Sequence, residues 1–119
     1  MSNLISLGVA IDMTTLFRAD RETVLATSFQ NQNILPKCET FDRAAFDDVL
    51  AQSGCEGIRI YYGMNSSNQV HAIIVGVNGN DEDIVFPSSP GLPDPPPSLV
   101  IENGKRCPND CPASSVLNT

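Results

Sequence analysis

The side chains here that could carry chemistry are four cysteines, one histidine and a short acidic run. Cys38, Cys55, Cys107 and Cys111 could, as thiolates, hold a tetrahedral zinc ion. Their spacing supports this only in part, because Cys107 and Cys111 form a C-x3-C pair with no second short pair to match it. Cys38 and Cys55 flank a predicted helix over 43–52, which at ~1.5 Å per residue spans about 15 Å. That length sets the two thiols near opposite helix ends unless the flanking loops fold back. It weakens a shared site, and equally a Cys38–Cys55 disulfide, whose Cα atoms must lie within ~7 Å. Three readings stay open. In the first, Cys38 and Cys55 are small buried hydrophobes and Cys107 and Cys111 lie in a proline-stiffened turn; in the second the four bind zinc; in the third Cys107 and Cys111 form a disulfide or redox pair, against which stand the lack of C-x-x-C and an expected reducing compartment.

His71 does not complete a cysteine metal set. If residues 62 and 70 pair near the hairpin turn, His71 lies at the turn end and Cys55 beyond the far end of the strand, several residues of ~3.3 Å away. Beside apolar Ile73 and Val75 on a predicted strand, a lone imidazole reads as a packing or surface residue, and nothing selects a cysteine to form a dyad with it. Asp81, Glu82 and Asp83, with Asn78 and Asn80 just upstream, gather oxygen ligands without the spacing of an EF-hand loop, so they read as a solvated turn. Adjacent Asp47 and Asp48 point in different directions on a helix and share no proton. No glycine-rich nucleotide loop, nucleophile elbow or H-E-x-x-H motif occurs.

The elements that must position these groups follow from apolar periodicity. Val9, Ala10, Met13, Leu16 and Phe17 share one face of a helix running from Ser6 to about residue 20. Asp42 is placed to cap a second helix over 43–52, whose inward stripe is Ala45, Phe46, Val49 and Leu50 and whose stop is Gly54. Strands follow at 57–63 and 69–77, joined as a hairpin. Asn78-Gly79 then turns the chain into a third strand at 84–86, and Leu99-Val-Ile101 makes a fourth. Residues 87–97 hold six prolines and form an extended loop, with Pro90-Gly-Leu-Pro93 in P-x-x-P spacing. Helices first and strands afterwards predict α+β architecture: two helices packed on an antiparallel three- to four-stranded meander, in one small domain over 1–119 that ends in a cysteine-containing tail, 103–119.

Composition narrows the partners. Fourteen acidic against seven basic side chains give a net charge of −7, which repels phosphate backbones and anionic headgroups. Apart from Lys105-Arg106 the cations are scattered, so nucleic acid is not expected as a partner. The longest apolar run, Ala72 to Val77, is far short of the ~18–20 residues of a membrane span. The N-terminus carries no basic leader region, which predicts a soluble, cytoplasmic chain.

Gly57-Ile-Arg-Ile-Tyr-Tyr62, Val75-Gly-Val-Asn-Gly-Asn-Asp81 and the ending Cys107-Pro-Asn-Asp-Cys-Pro-Ala-Ser-Ser-Val-Leu-Asn118 resemble a group of small uncharacterised bacterial proteins, from about residue 40 onwards. The resemblance implies a small bacterial α+β protein with a cysteine-containing tail and brings no activity, cofactor or partner with it. From the residues themselves, the first functional expectation is a non-enzymatic protein–protein interaction or assembly module, working on a protein partner or as a homo-oligomer. The alternative is a cysteine-based zinc or thiol/disulfide module using Cys107 and Cys111, with Cys55 as helper. A small enzyme acting through His71 is a third.

Overall fold

The structure, a computed structural model, describes residues 2–119 and is α+β. The elements are α1 (Leu7–Asp20), a 3-10 turn (Thr27–Phe29), β1 (Cys38–Thr40), α2 (Arg43–Leu50), β2 (Cys55–Met64), β3 (Val70–Asn78) and β4 (Lys105–Cys107). The strands form two two-stranded sheets, β1 with β4 and β2 with β3. The chain divides into two compact units, one made of 1–39, 64–70 and 105–119, the other of 40–63 and 71–104.

The second unit holds the body of the hairpin, up to Gly63 and from His71, together with its main core, and the tip at 64–70 belongs to the first. The Asn65 N–H donates to the Gln69 carbonyl at 3.1 Å and sets the register. Stepping back by twos puts Gly63 opposite His71, Arg59 opposite Val75 and Gly57 opposite Val77. The last pair is so close that a Cβ on Gly57 would lie 3.1 Å from Val77 Cγ2. Met64 rather than Tyr62 therefore faces Val70. The difference from the sequence expectation is two residues, an even step that leaves every side chain on its expected face.

Ile74, Val49 of α2 and Ile101 form the buried cluster, with Phe41, Ala45 and Phe46 packed against it. Phe41 and Phe46 meet edge to face, with centroids 6.1 Å apart. Gly76 lies under α2, where a Cβ would come within 2.9 Å of Cys55 Sγ and 3.2 Å of Val49 Cγ1. Leu50 is exposed, so the inward stripe of α2 is narrower than its sequence suggests. Asp42 stands at the N-cap position, but its side chain makes no capping hydrogen bond, whereas Gly54 takes the expected left-handed conformation at φ +78°.

The segments expected as third and fourth strands each touch β3 at one isolated bridge, Val77 with Asp83 and Ile74 with Ile101. The prolines between them explain the brevity, since each lacks the N–H a longer ladder needs. Pairing of β1 with β4 was not foreseen: both are three-residue strands with charged members and no alternating pattern.

In the first unit, Ser6 caps α1 by accepting the Val9 N–H at 3.1 Å. The 14-residue helix buries none of its residues. The fixed centre of this unit is Arg106 on β4, only 8% exposed. Its guanidinium donates to the carbonyls of Val70 (3.0 Å), Asn33 (3.0 Å) and Ile34 (3.1 Å), tying β4 to the hairpin tip and to the 33–34 turn. Burial pushes the guanidinium below its ordinary pKa, and the charge of Glu39 works against that shift.

Arg106→Ala takes the donor from the Val70 and Asn33 carbonyls, while Ile34 keeps the Val70 N–H, and at ~1–3 kcal/mol for each buried unpaired group the expected loss of stability is about 2 kcal/mol or more. Arg106→Lys keeps the charge without the planar fork and should fall between the two. Urea unfolding of the three proteins checks the order; equal midpoints would remove Arg106 as the unit's anchor.

Candidate functional site

Tertiary structure distributes the four cysteines unevenly. Cys107 and Cys111 are joined in a disulfide with Cα atoms 4.5 Å apart. The short loop it closes is held from outside: the Lys37 N–H donates to the Cys107 carbonyl at 2.8 Å and the Asn33 side-chain amide to the Pro108 carbonyl at 2.9 Å. Within the loop the Asp110 N–H donates to the Arg106 carbonyl at 2.8 Å. Cys38, on β1 in the same unit, and Cys55, at the start of β2 in the other, are free half-buried thiols. Among the described residues no group of three or more His, Cys, Asp or Glu side chains is placed to hold a metal ion.

His71 sits at the turn end of β3, opposite Gly63. Its Nδ1 lies 3.3 Å from Glu102 Oε1, a carboxylate partner that sequence spacing did not single out. Neither residue lines the hollow along Met13 and Phe17, the one at Leu25 and Phe29 or the one beside Val49 and Leu99. Asp47 is engaged with Arg43 one helical turn away, at 3.4 Å.

The acidic turn has a definite role. Asn78 Oδ1 accepts the N–H groups of Asn80 and Glu82, and the Asn78 N–H donates to the Glu82 carbonyl, so the turn is built on the asparagine. Arg59 and Tyr61 share a face of β2, and from there Arg59 reaches Asp81 and Asp83 while the Tyr61 hydroxyl donates to Asp83. The hydrogen bond from Tyr61, with Arg59 beside it, holds the Asp83 carboxyl below the usual aspartate range. In return Asp83 raises the pKa of Tyr61 and of Arg59. Arg-x-Tyr on a strand, followed by an acidic turn one hairpin later, was the available signal; it becomes readable only when the register is known.

A hollow of about 430 Å³ runs along α1, lined by Met13, Leu16, Phe17, Asp20, Arg21 and Val24. Met13 and Leu16 are 63% and 64% exposed. Half-buried Ala10, Ile11, Thr14 and Arg18 lie on the other side of the helix. There the Thr14 hydroxyl donates to the Ala10 carbonyl at 2.9 Å, and Arg18 donates to the carbonyls of Leu117 and Thr119 in the tail. The more apolar side of α1 is thus the outer one. Among the described residues no helix is long and apolar enough to cross a membrane. Compared with protein-family models, curated proteins and solved structures, the chain matches none.

Replacing Asp83 with Asn removes the charge that opposes ionisation of the Tyr61 phenol, so its pKa should fall toward the ordinary ~10. Ultraviolet titration of wild type and Asp83→Asn measures this; superimposable curves would mean the contact does not persist in solution. The linkage at acid pH has the opposite sense. Because the folded carboxyl is depressed, its stabilising effect is present above ~3.9 and disappears as pH falls through the folded value.

Proposed function

We propose that this protein is a non-enzymatic protein–protein interaction or assembly module, acting on a protein partner or as a homo-oligomer in the cytoplasm. The observation that carries this reading is the inverted α1, a capped 14-residue helix whose Met13, Leu16 and Phe17 face outward. Leaving such side chains in water forgoes ~1.5–3 kcal/mol apiece relative to burial, which another polypeptide can recover. The reading also takes the segments at Asp83 and Ile101 as the third and fourth strands of the meander, each holding β3 at one point. Nucleic acid remains an unfavourable partner for a surface of net charge −7.

A second reading, a thiol or disulfide module, is favoured by the Cys107–Cys111 bridge. Its zinc variant requires the same two sulfurs reduced, together with Cys38 or Cys55. The readings differ in compartment, because a reducing cytoplasm keeps such a pair as a dithiol.

Met13→Ser/Leu16→Ser changes exposed positions only, so stability should stay within about 0.5 kcal/mol of wild type. Retention of a partner from source lysate should fall at least tenfold. A stable variant that retains the same proteins as wild type removes α1 from the function. For the second reading, thiol titration of the denatured, unreduced protein should give only Cys38 and Cys55. Titration of all four would eliminate the disulfide form, and absence of zinc from the reduced protein the metal form.

A further inference from the structure

An asparagine followed by glycine is the dipeptide at which a chain most readily attacks itself, because the glycine amide carries no side chain to obstruct its approach to the preceding Asn Cγ. The sequence holds this dipeptide twice, at Asn78-Gly79 and Asn103-Gly104. The two differ in how they are held. Asn78 Oδ1 accepts the N–H groups of Asn80 at 2.9 Å and Glu82 at 3.1 Å, its side-chain amide donates to Glu82 Oε1 at 3.2 Å, and its own N–H donates to the Glu82 carbonyl at 3.0 Å. Closing a ring on Cγ requires Asn78 to turn about its Cα–C and Cα–Cβ bonds, which breaks this set. The Glu56 carboxylate also lies against Gly79, so near that a Cβ there would come 2.8 Å from Oε2. A negative charge so placed opposes loss of the Gly79 amide proton, the event that makes the nitrogen nucleophilic. Asn103 has neither restraint. It is exposed, on the segment between Ile101 and β4, and among the described residues none hydrogen-bonds its side chain. Its backbone is left-handed at φ +65°, a conformation asparagine tolerates better than most residues, and the neighbouring carboxylate of Glu102 is engaged with His71 at 3.3 Å.

We propose that Asn103-Gly104 is a site of spontaneous covalent modification by deamidation, and that the fold holds Asn78-Gly79 back from the same reaction. A solvent base takes the Gly104 amide proton and the nitrogen attacks Asn103 Cγ. The bond between Cγ and the side-chain nitrogen breaks, and that nitrogen leaves as ammonia after taking a proton from water. Water then opens the resulting succinimide at either carbonyl. One opening gives aspartate; the other gives isoaspartate, in which the main chain runs through the former side-chain carbon. Water is the sole co-reactant, and nothing is oxidised or reduced. Both products add a carboxylate beside Glu102, and the isoaspartyl product lengthens the backbone by one methylene just ahead of β4, the strand that carries Arg106. The inference is independent of the interaction-module reading.

Incubation of the full chain in heavy-oxygen water at mildly alkaline pH tests this, because opening of the succinimide leaves one heavy oxygen at each site that has reacted. Cleavage after Glu82 and Glu102 puts Asn78 and Asn103 on different peptides, and mass spectrometry with fragmentation reads the label at each. A parallel incubation in guanidinium chloride removes the fold, and there the two sites should react at similar rates. In the folded chain Asn78 should react at least ~10-fold more slowly than in the unfolded one, since it reacts only when its turn opens, whereas Asn103 should slow by less than ~3-fold. Asn103 protected as strongly as Asn78 overturns the proposal, as does an Asn78 that takes up label in the folded chain as fast as Asn103.

Discussion

An antiparallel strand offers its backbone groups alternately to its two edges, and most of this structure is a consequence of where those groups go. The Asn65–Gln69 bond fixes which residues of β3 face away from β2. Glu82 and Ile84, just past the Asn78 turn, and Ile34 and Ile101, from more distant parts of the chain, then supply partners at that outer edge. Each contact is a single bond or an isolated bridge, so the segments carrying them need not be full strands. The cluster of Val49, Ile74 and Ile101 exists because Ile101 is drawn to β3 by its backbone and brings its side chain along.

Arg106 performs a comparable service in the first unit. The carbonyls of Val70 and Asn33 have the guanidinium as their donor, and that of Ile34 accepts from it as well as from the Val70 N–H. A planar group with five N–H donors satisfies several acceptors from one position, which explains an arginine at a buried site. The adjoining disulfide and the Lys37 and Asn33 bonds keep β4 and the following loop in place around it.

The titratable side chains serve structure in the same way. Asp83 accepts from both Arg59 and Tyr61, linking the acidic turn to the hairpin, and His71 stands against Glu102 instead of a thiol. Polar capacity is consumed within the scaffold, whereas apolar capacity on α1 and backbone capacity on β2 are left over. That imbalance is the physical basis for reading the molecule as a binding module.

Amino-acid order alone determined the local features: the Ser6-capped α1, a helix beginning after Asp42 and ended by Gly54, the hairpin, the Asn78 turn and the strandless proline segment. Each depends on interactions within a few residues, so periodicity and turn chemistry suffice to read it. Long-range partners decided the rest. Nothing in the spacing of Cys107 and Cys111 chose a disulfide over a metal clip, and nothing in three-residue β1 and β4 announced their pairing. The face of α1 that turns outward was illegible for a related reason: periodicity shows that a helix has an apolar side, while burial depends on what the remainder of the chain places beside it. Arg59, Tyr61 and Asp83 likewise became one cluster only through the hairpin register, a property of two strands together and not of either by itself.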